Sequence, residues 1–246
     1  MLKSLAAAAV DLVYPPRCVV CASRGAWLCP ECHARVRQVP APRCPVCGGP
    51  VGRVLPGDGV CRRCAQEPPA FRSAVAAGTY DGVLRTAIRA LKYRGLGQVS
   101  VPLGRLAAQR FSPDRAAIVV PVPAHPRRTR RRGLDHADLL AEVVAQATGL
   151  ALAPDGLVRV RATAPQFALD PAERRRNVAG AFAAGRPVRD RTVLLVDDVH
   201  TTGATANECA IALLRGGAIA VDVCTVARAI LPSTGLDAAG AVAVRR

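Results

Sequence analysis

The densest chemistry in the chain lies in one stretch, Val193-Leu-Leu-Val-Asp197-Asp198-Val199-His200-Thr201-Thr202-Gly203-Ala204-Thr205. Four apolar residues in a row read as a strand buried on both faces, and open α/β sheets bind ligands at the carboxyl ends of such strands. Asp197 and Asp198 fall at that end. Thr201, Thr202, Gly203, Ala204 and Thr205 then form a loop that opens into a helix. Unpaired amides, the helix dipole and threonine hydroxyls make a seat for a phosphate dianion there, and Gly203 lets the backbone come close. Carboxylates accept hydrogen bonds from vicinal hydroxyls, so the acid pair and the cradle together suit a ligand that carries both a phosphate and a sugar. The plainer alternative makes the acids a strand-end cap and the threonines an ordinary helix N-cap. His200, inside this loop, is expected to point outward, the alternative being a ligand-facing donor.

Eight of the ten cysteines form CxxC pairs: Cys18/Cys21, Cys29/Cys32, Cys44/Cys47 and Cys61/Cys64. Each such turn directs two thiolates at one metal, and tetrahedral Zn²⁺ takes four, so the eight ligands complete two structural sites. The spacing leaves open which pairs share an ion. A Cys₄ set can also hold an iron–sulfur cluster. A redox pair of the thioredoxin kind would be a single CxxC inside a βαβ unit, and a closed all-cysteine site leaves no position for a catalytic water. Cys209 and Cys224 read as core residues.

The chain that must position these groups has 246 residues, enough for one α/β domain of roughly 150–180 residues and a smaller module. Hydrophobic residues make up 50% of it, which excludes wholesale disorder. The formal charge of +16 comes almost wholly from arginine and favours polyanionic partners, either nucleic acid or phosphorylated small molecules. Arg127, Arg128, Arg130, Arg131 and Arg132 concentrate that charge in one loop, and Arg174, Arg175 and Arg176 form a second run. Such runs serve as a solvated face, a pyrophosphate grip or a nucleic-acid backbone contact. They lack the interleaved aromatics that base stacking needs.

Residues 1–14 read as a short N-terminal helix rather than a signal peptide, because Asp11 cuts the apolar run short. With no stretch near the roughly 20 apolar residues of a membrane span, a cytoplasmic protein is expected. Residues 15–68 form a small metal-stapled module that ends at Glu67-Pro68-Pro69. From 69 to 230 apolar strands alternate with helical patterns. Strands are expected from Ala74 to Thr79, Ala117 to Val122, Leu157 to Arg161, Val193 to Val196 and Ala218 to Ala227. Helices are expected from Gly82 to Lys92, His136 to Thr148 and Ala204 to Arg215. That rhythm predicts an α/β fold with a mostly parallel sheet flanked by helices. Residues 231–246 are expected to be a disordered tail.

The strand, acid pair and Thr-Gly loop resemble the ribose-phosphate signature of type I phosphoribosyltransferases, which hold 5-phosphoribosyl 1-pyrophosphate (PRPP). Further segments resemble the ComF competence family: Lys92-Tyr-Arg-Gly95, Pro121-Val-Pro123, the arginine loop with Gly133, Thr163-Ala-Pro-Gln166 with Leu169, Arg174-Arg-Arg-Asn177 and Ala181-Phe182. With the four CxxC pairs in front, the likeness covers about residues 12–228. His200 and Leu134-Asp135-His136 depart from the family's pattern. The resemblance implies a double zinc ribbon joined to a phosphoribosyltransferase-type domain, with Mg²⁺ accompanying PRPP. It implies catalytic roles for Asp197 and Asp198 at the ribose and metal shell, and a 5′-phosphate role for Thr201, Thr202, Gly203, Ala204 and Thr205. Lys92, Arg127, Arg128 and Arg132 would meet pyrophosphate. The implied function is PRPP binding tied to DNA uptake and competence or to nucleotide salvage. The alternative is a non-catalytic competence factor that binds single-stranded DNA and works with the DNA-uptake machinery. No residue is read as recognising an acceptor base.

Overall fold

The computed structural model describes residues 15–51, 59–112, 117–124, 135–161 and 171–230. The expected N-terminal helix, the Arg127–Arg132 loop, the segment Thr163 to Leu169 and the expected tail lie outside the described residues.

Among the described residues, short runs rich in Val, Ile and Ala make seven strands: β1 (Ser73–Thr79), β2 (Ala117–Pro121), β3 (Ala151–Leu152), β4 (Leu157–Arg159), β5 (Phe182–Ala184), β6 (Thr192–His200) and β7 (Ala220–Arg228). Five of them form one sheet in the order β1-β7-β6-β2-β3, each neighbouring pair parallel. The expected strand from Leu157 is shorter than foreseen, and it pairs antiparallel with β5 outside the main sheet. Seven α-helices accompany the strands among the described residues. Two short ones, α1 (Pro30–Ala34) and α2 (Arg62–Gln66), each follow the first Cys of a CxxC turn; the others are α3 (Gly82–Tyr93), α4 (Ser100–Ala108), α5 (His136–Thr148), α6 (Pro171–Val178) and α7 (Ala204–Arg215).

The centre of the sheet shows why the sequence folds this way. On β6, Leu194 and Val196 pack with Ile88 of α3, Leu103 of α4 and Leu140 of α5. Val193 and Leu195 turn the other way, into a layer that holds Leu213 of α7 with Leu157 and Phe182. This alternation is the period of two of a strand, and covering both faces is what a parallel sheet requires. Each of these leucines is fully buried, which stabilises the fold by roughly 2 kcal/mol apiece.

Strand order also fixes where a ligand can sit. The chain leaves β2 through α5 for β3 on one side, and leaves β6 through α7 for β7 on the other. β2 and β6 are adjacent, so the crevice outside their carboxyl ends is the topological switch point at which such sheets bind ligands. Both helices that flank it have defined starts. The Asp135 carboxylate accepts from Ala137 N at 3.0 Å to cap α5, and Gly203, at φ +81°, turns the chain into α7.

The cysteine-rich module sits directly on the α/β domain. Thr79 N donates to Arg37 O at 2.9 Å, and Ala70 N donates to Asn207 Oδ1 at 2.7 Å. Gly48 approaches β1 so closely that a Cβ there would stand 2.2 Å from Ala74 O. Thus Glu67-Pro68-Pro69 leads straight into a docked segment.

Candidate active site and metal centres

Asp197 and Asp198 are consecutive residues inside β6, so their side chains leave opposite faces of the strand. Asp198, 8% exposed, takes the Lys92 ammonium from the last turn of α3, with Nζ 2.6 Å from Oδ2. Burial works against that ammonium, but Asp198, together with Asp197 and Tyr80, raises Lys92 above its ordinary value. Burial and the neighbouring Asp198 push Asp197 up to about 7, against the pull of Lys92. Asp197 Oδ1 accepts from Asp198 N at 2.7 Å, which fixes its rotamer. The site therefore holds two acids and one cation, with one of the acids able to take or release a proton near neutrality.

The cradle follows at once. Thr201 and Thr202 make the bend, Gly203 is the left-handed N-cap, and Ala204 begins α7. Gly203 carries no side-chain cap, and Thr202 Oγ1 meets Ala204 N only at 3.4 Å. The positive end of a three-turn helix is thus directed at the switch point, beside the acids.

His200 corrects an expectation. It is the last residue of β6, paired in register with Arg228 of β7, and only 4% exposed. The ladder extends one residue beyond the acids and their following valine, which draws the ring inward. Its edge meets Phe71 at 5.8 Å between centroids, and neither ring nitrogen has a hydrogen-bond partner among the described residues. Burial, with Arg228 and Arg63 nearby, pushes His200 down to about 3, so the ring is neutral. A Cβ on Gly203 would lie 2.9 Å from His200 Nε2, a second reason for glycine at this corner.

The eight paired cysteines form two centres of four, Cys18/Cys21/Cys29/Cys32 and Cys44/Cys47/Cys61/Cys64, with the sulfurs of each within 4.8 Å of one another. Sequential pairs share a centre, which settles the pairing that the spacing left open. Cys21 and Cys29 sulfurs lie 3.6 Å apart, and Cys47 and Cys61 sulfurs 3.8 Å apart. A tetrahedron with Zn–S of about 2.3 Å has edges of about 3.8 Å, so the donor set fits zinc. The thiols of each centre are split in acidity. The Ser23 hydroxyl brings Cys21 down to about 6, whereas burial and the neighbouring thiols push Cys32 up to about 12. Burial works against Cys44, but the amides of Cys47, Cys61 and Val46 bring it down to about 7, while burial drives Cys64 upward. Four crowded thiols that resist joint ionisation need a divalent cation to become four thiolates.

The structure brings Lys92, Asp197, Asp198 and residues 201–205 together at one end of the sheet. Arg127, Arg128 and Arg132 lie outside the described residues, but Ala124 N donates to Asp135 Oδ2 at 2.9 Å, tying the two ends of their loop together beside the switch point. Cys209 and Cys224 are fully buried core residues, as expected. Sequence reasoning missed two arginines. Arg63, between the ligands Cys61 and Cys64, donates from Nη1 to Thr202 O at 3.0 Å. Arg228, buried, donates from Nη1 to Cys47 O at 2.6 Å, with Nη2 3.6 Å from Cys47 Sγ. Both contacts join residues remote in sequence, and no local pattern announces them.

Fold and site together define a class: a parallel α/β domain, with an acid pair and a Thr-Gly loop that opens into a helix at its switch point, bearing two Cys₄ centres. Residues 9–65 match the double zinc ribbon domain family. The chain is 36% identical over 214 residues to the DNA utilization protein YhgH of Salmonella typhi, across 82% of this chain and 91% of that protein. It is 28% identical over 212 residues to competence protein F of Haemophilus influenzae, across 82% and 90% respectively. The chain belongs to the ComF family of competence and DNA utilization proteins. Glutamine phosphoribosylpyrophosphate amidotransferase from B. subtilis, solved with ADP and GMP, is a partial structural likeness. It has a TM-score of 0.36 and 25% identity, over 51% of this chain and 26% of that one. Among the described residues no helix is long and apolar enough to cross a membrane.

Proposed function

We propose that this ComF-family chain binds PRPP at the β2–β6 switch point and that the site is organised for phosphoribosyl chemistry. The observation that carries the reading is the Lys92–Asp198 pair at 2.6 Å, set on the same strand as Asp197 and leading directly into the uncapped start of α7. Thr201, Thr202, Gly203, Ala204 and Thr205 hold the 5′-phosphate through backbone amides and hydroxyls. Asp197 and Asp198 accept hydrogen bonds from the ribose hydroxyls. Lys92, which neutralises Asp198 in the free chain, meets the pyrophosphate with Arg127, Arg128 and Arg132, whose loop follows β2.

Asp197, held up near neutrality by burial and then by the neighbouring Asp198, is a group that an added cation would help ionise, so the acid pair fits Mg²⁺ arriving with PRPP. If bound, Mg²⁺ would be held at Asp197 and Asp198 and would supply charge neutralisation for the pyrophosphate. The protein's own share of a transfer at C1, where the transition state is oxocarbenium-like, is positioning the ribose and stabilising charge on the departing pyrophosphate. The functional unit is residues 15–68 acting with residues 69–230, and its place is the cytoplasm, where thiols stay reduced for metal. The relatives' names, DNA utilization and competence, support a role in handling nucleotides derived from imported DNA.

A second reading, single-strand DNA binding, is supported by the exposed arginines Arg17, Arg24, Arg35 and Arg62 on the ribbons. Calorimetric titration of the zinc-loaded chain with PRPP and Mg²⁺, set against titration with a short oligonucleotide, separates the two. Saturable PRPP binding supports the first reading, and oligonucleotide binding with no response to PRPP replaces it with the second.

A further inference from the structure

Zinc ribbons are ordinarily folding devices, but the second Cys₄ centre here is joined to the phosphate loop by two routes. The first is direct. Arg63, one residue before the ligand Cys64 on α2, places Nη1 3.0 Å from Thr202 O in the middle of the loop. Its side chain is otherwise exposed, and it crosses from one domain to the other to reach a backbone carbonyl. By holding that carbonyl it fixes the plane of the peptide between Thr202 and Gly203, and so the direction of the Gly203 amide at the start of α7.

The second route runs underneath. Arg228 is 7% exposed, and its guanidinium meets Cys47 O and Cys47 Sγ; it has no carboxylate partner among the described residues. A buried cation needs compensating charge. Four thiolates around one divalent ion carry a net charge of about −2, so the loaded second centre is itself the counter-charge of Arg228. Gly49 leaves the space for this guanidinium, since a Cβ there would lie 2.9 Å from Arg228 Nη2. Arg228 stands opposite His200 in the β6–β7 ladder, and His200 abuts Gly203. The chain of contacts therefore returns to the loop from below.

We infer that Arg63 is a positioning residue of the phosphate loop, and that metal in the Cys44/Cys47/Cys61/Cys64 centre is energetically coupled to phosphate binding at Thr201–Thr205. This rests on the proposed ribose-phosphate reading of the loop and goes beyond it, because it makes the ribbon a part of the ligand site. Coupling is reciprocal: if the ordered ribbon shapes the loop, an occupied loop must help the ribbon retain its metal.

That reciprocity can be read on the unmodified full-length protein. Zinc is withdrawn by a colorimetric chelator with and without saturating ribose 5-phosphate, whose binding is first established by calorimetry. We expect two zinc populations, one of which is held about fivefold or more tightly with ligand present while the other does not change. Arg63→Ala should keep two zinc ions and a normal melting temperature, bind ribose 5-phosphate roughly tenfold more weakly and abolish the ligand effect on zinc. Arg63→Lys, which keeps a donor, should recover part of both. Binding of ribose 5-phosphate with unchanged zinc retention overturns the coupling and leaves the functional reading standing. Absence of ribose 5-phosphate binding overturns that reading, and the coupling with it. If Arg63→Ala does not fold, the measurement on the unmodified chain decides alone.

Discussion

Lys92 at the end of α3 and Asp198 near the end of β6 form an ion pair of 2.6 Å that closes one side of the switch point. The pair is mostly shielded from water, with side chains 25% and 12% exposed. Removing one partner leaves a charge with little solvent to replace it. Lys92→Met is expected to cost about 2 kcal/mol, less than a fully buried pair because some solvent remains. Urea unfolding at pH 7 measures this. The double variant Lys92→Met with Asp198→Asn should recover part of the loss, whereas simple additivity would mean that the two side chains do not act on each other.

Asp197 governs the expected pH dependence. Its folded value is raised from 3.8 to about 7, so the folded state holds this proton more tightly than the unfolded chain does. Its contribution to stability is present below pH 4 and is lost as pH rises toward 7. Ligand binding has the opposite sign, because hydroxyls and cations need the ionised acid. PRPP affinity should rise about tenfold from pH 6 to a plateau above pH 8, beyond the ligand's own titration. Asp197→Asn should remove that excess slope, and a slope that survives the substitution would assign the titration elsewhere.

His200 acts in the other direction on stability. Its folded value of about 3 lies below that of a free imidazole, so the unfolded state binds the extra proton. The associated stability is complete above about pH 6.5 and drains away as pH falls toward 3. His200→Leu removes two unpartnered buried nitrogens and the proton site together. It should gain about 1 kcal/mol at pH 7 and show a smaller loss between pH 6.5 and 4.5. Urea midpoints across that range check both; equal acid sensitivity in the two proteins would contradict the buried, neutral ring.

Much of this was legible in the chain, and what was not has physical causes. α5 and α7 begin and end where the sequence placed them, because Asp135, Gly149, Gly203 and Gly216 mark their ends. α4 was missed because Pro102 and Gly104 break the helical pattern. Gly104 is there for packing: a Cβ would lie 2.7 Å from Val143 Cβ of α5. The β4–β5 pair was half missed, since three-residue strands show no periodicity. The acids, the loop and the cysteine centres were visible as local spacing. The Lys92–Asp198 pair, the burial of His200 and the Arg63 and Arg228 contacts depend on tertiary register, which no short motif encodes.

Among the described residues the second ribbon's own cluster holds little beyond its cysteines, Val46, Val51 and Val60, and the first ribbon's Leu28 and Val36 pack into the core of the α/β domain. Metal must therefore supply their folding energy. Purified protein should carry about two zinc ions, and chelation should unfold the ribbons and expose their thiols. A folded protein with no metal and eight freely reactive thiols would contradict this, and a brown, iron-loaded protein would reassign the ion.

The proposed PRPP site consists of the acid pair and the Thr201–Thr205 loop. Calorimetry with PRPP and Mg²⁺, comparing the unmodified chain with the Asp197→Asn, Asp198→Asn double variant, tests it most directly. One saturable site per chain is expected, with affinity falling by at least about tenfold in the double variant while zinc content and circular dichroism stay the same. PRPP binding of equal affinity in both proteins, or none in the unmodified one, would contradict it.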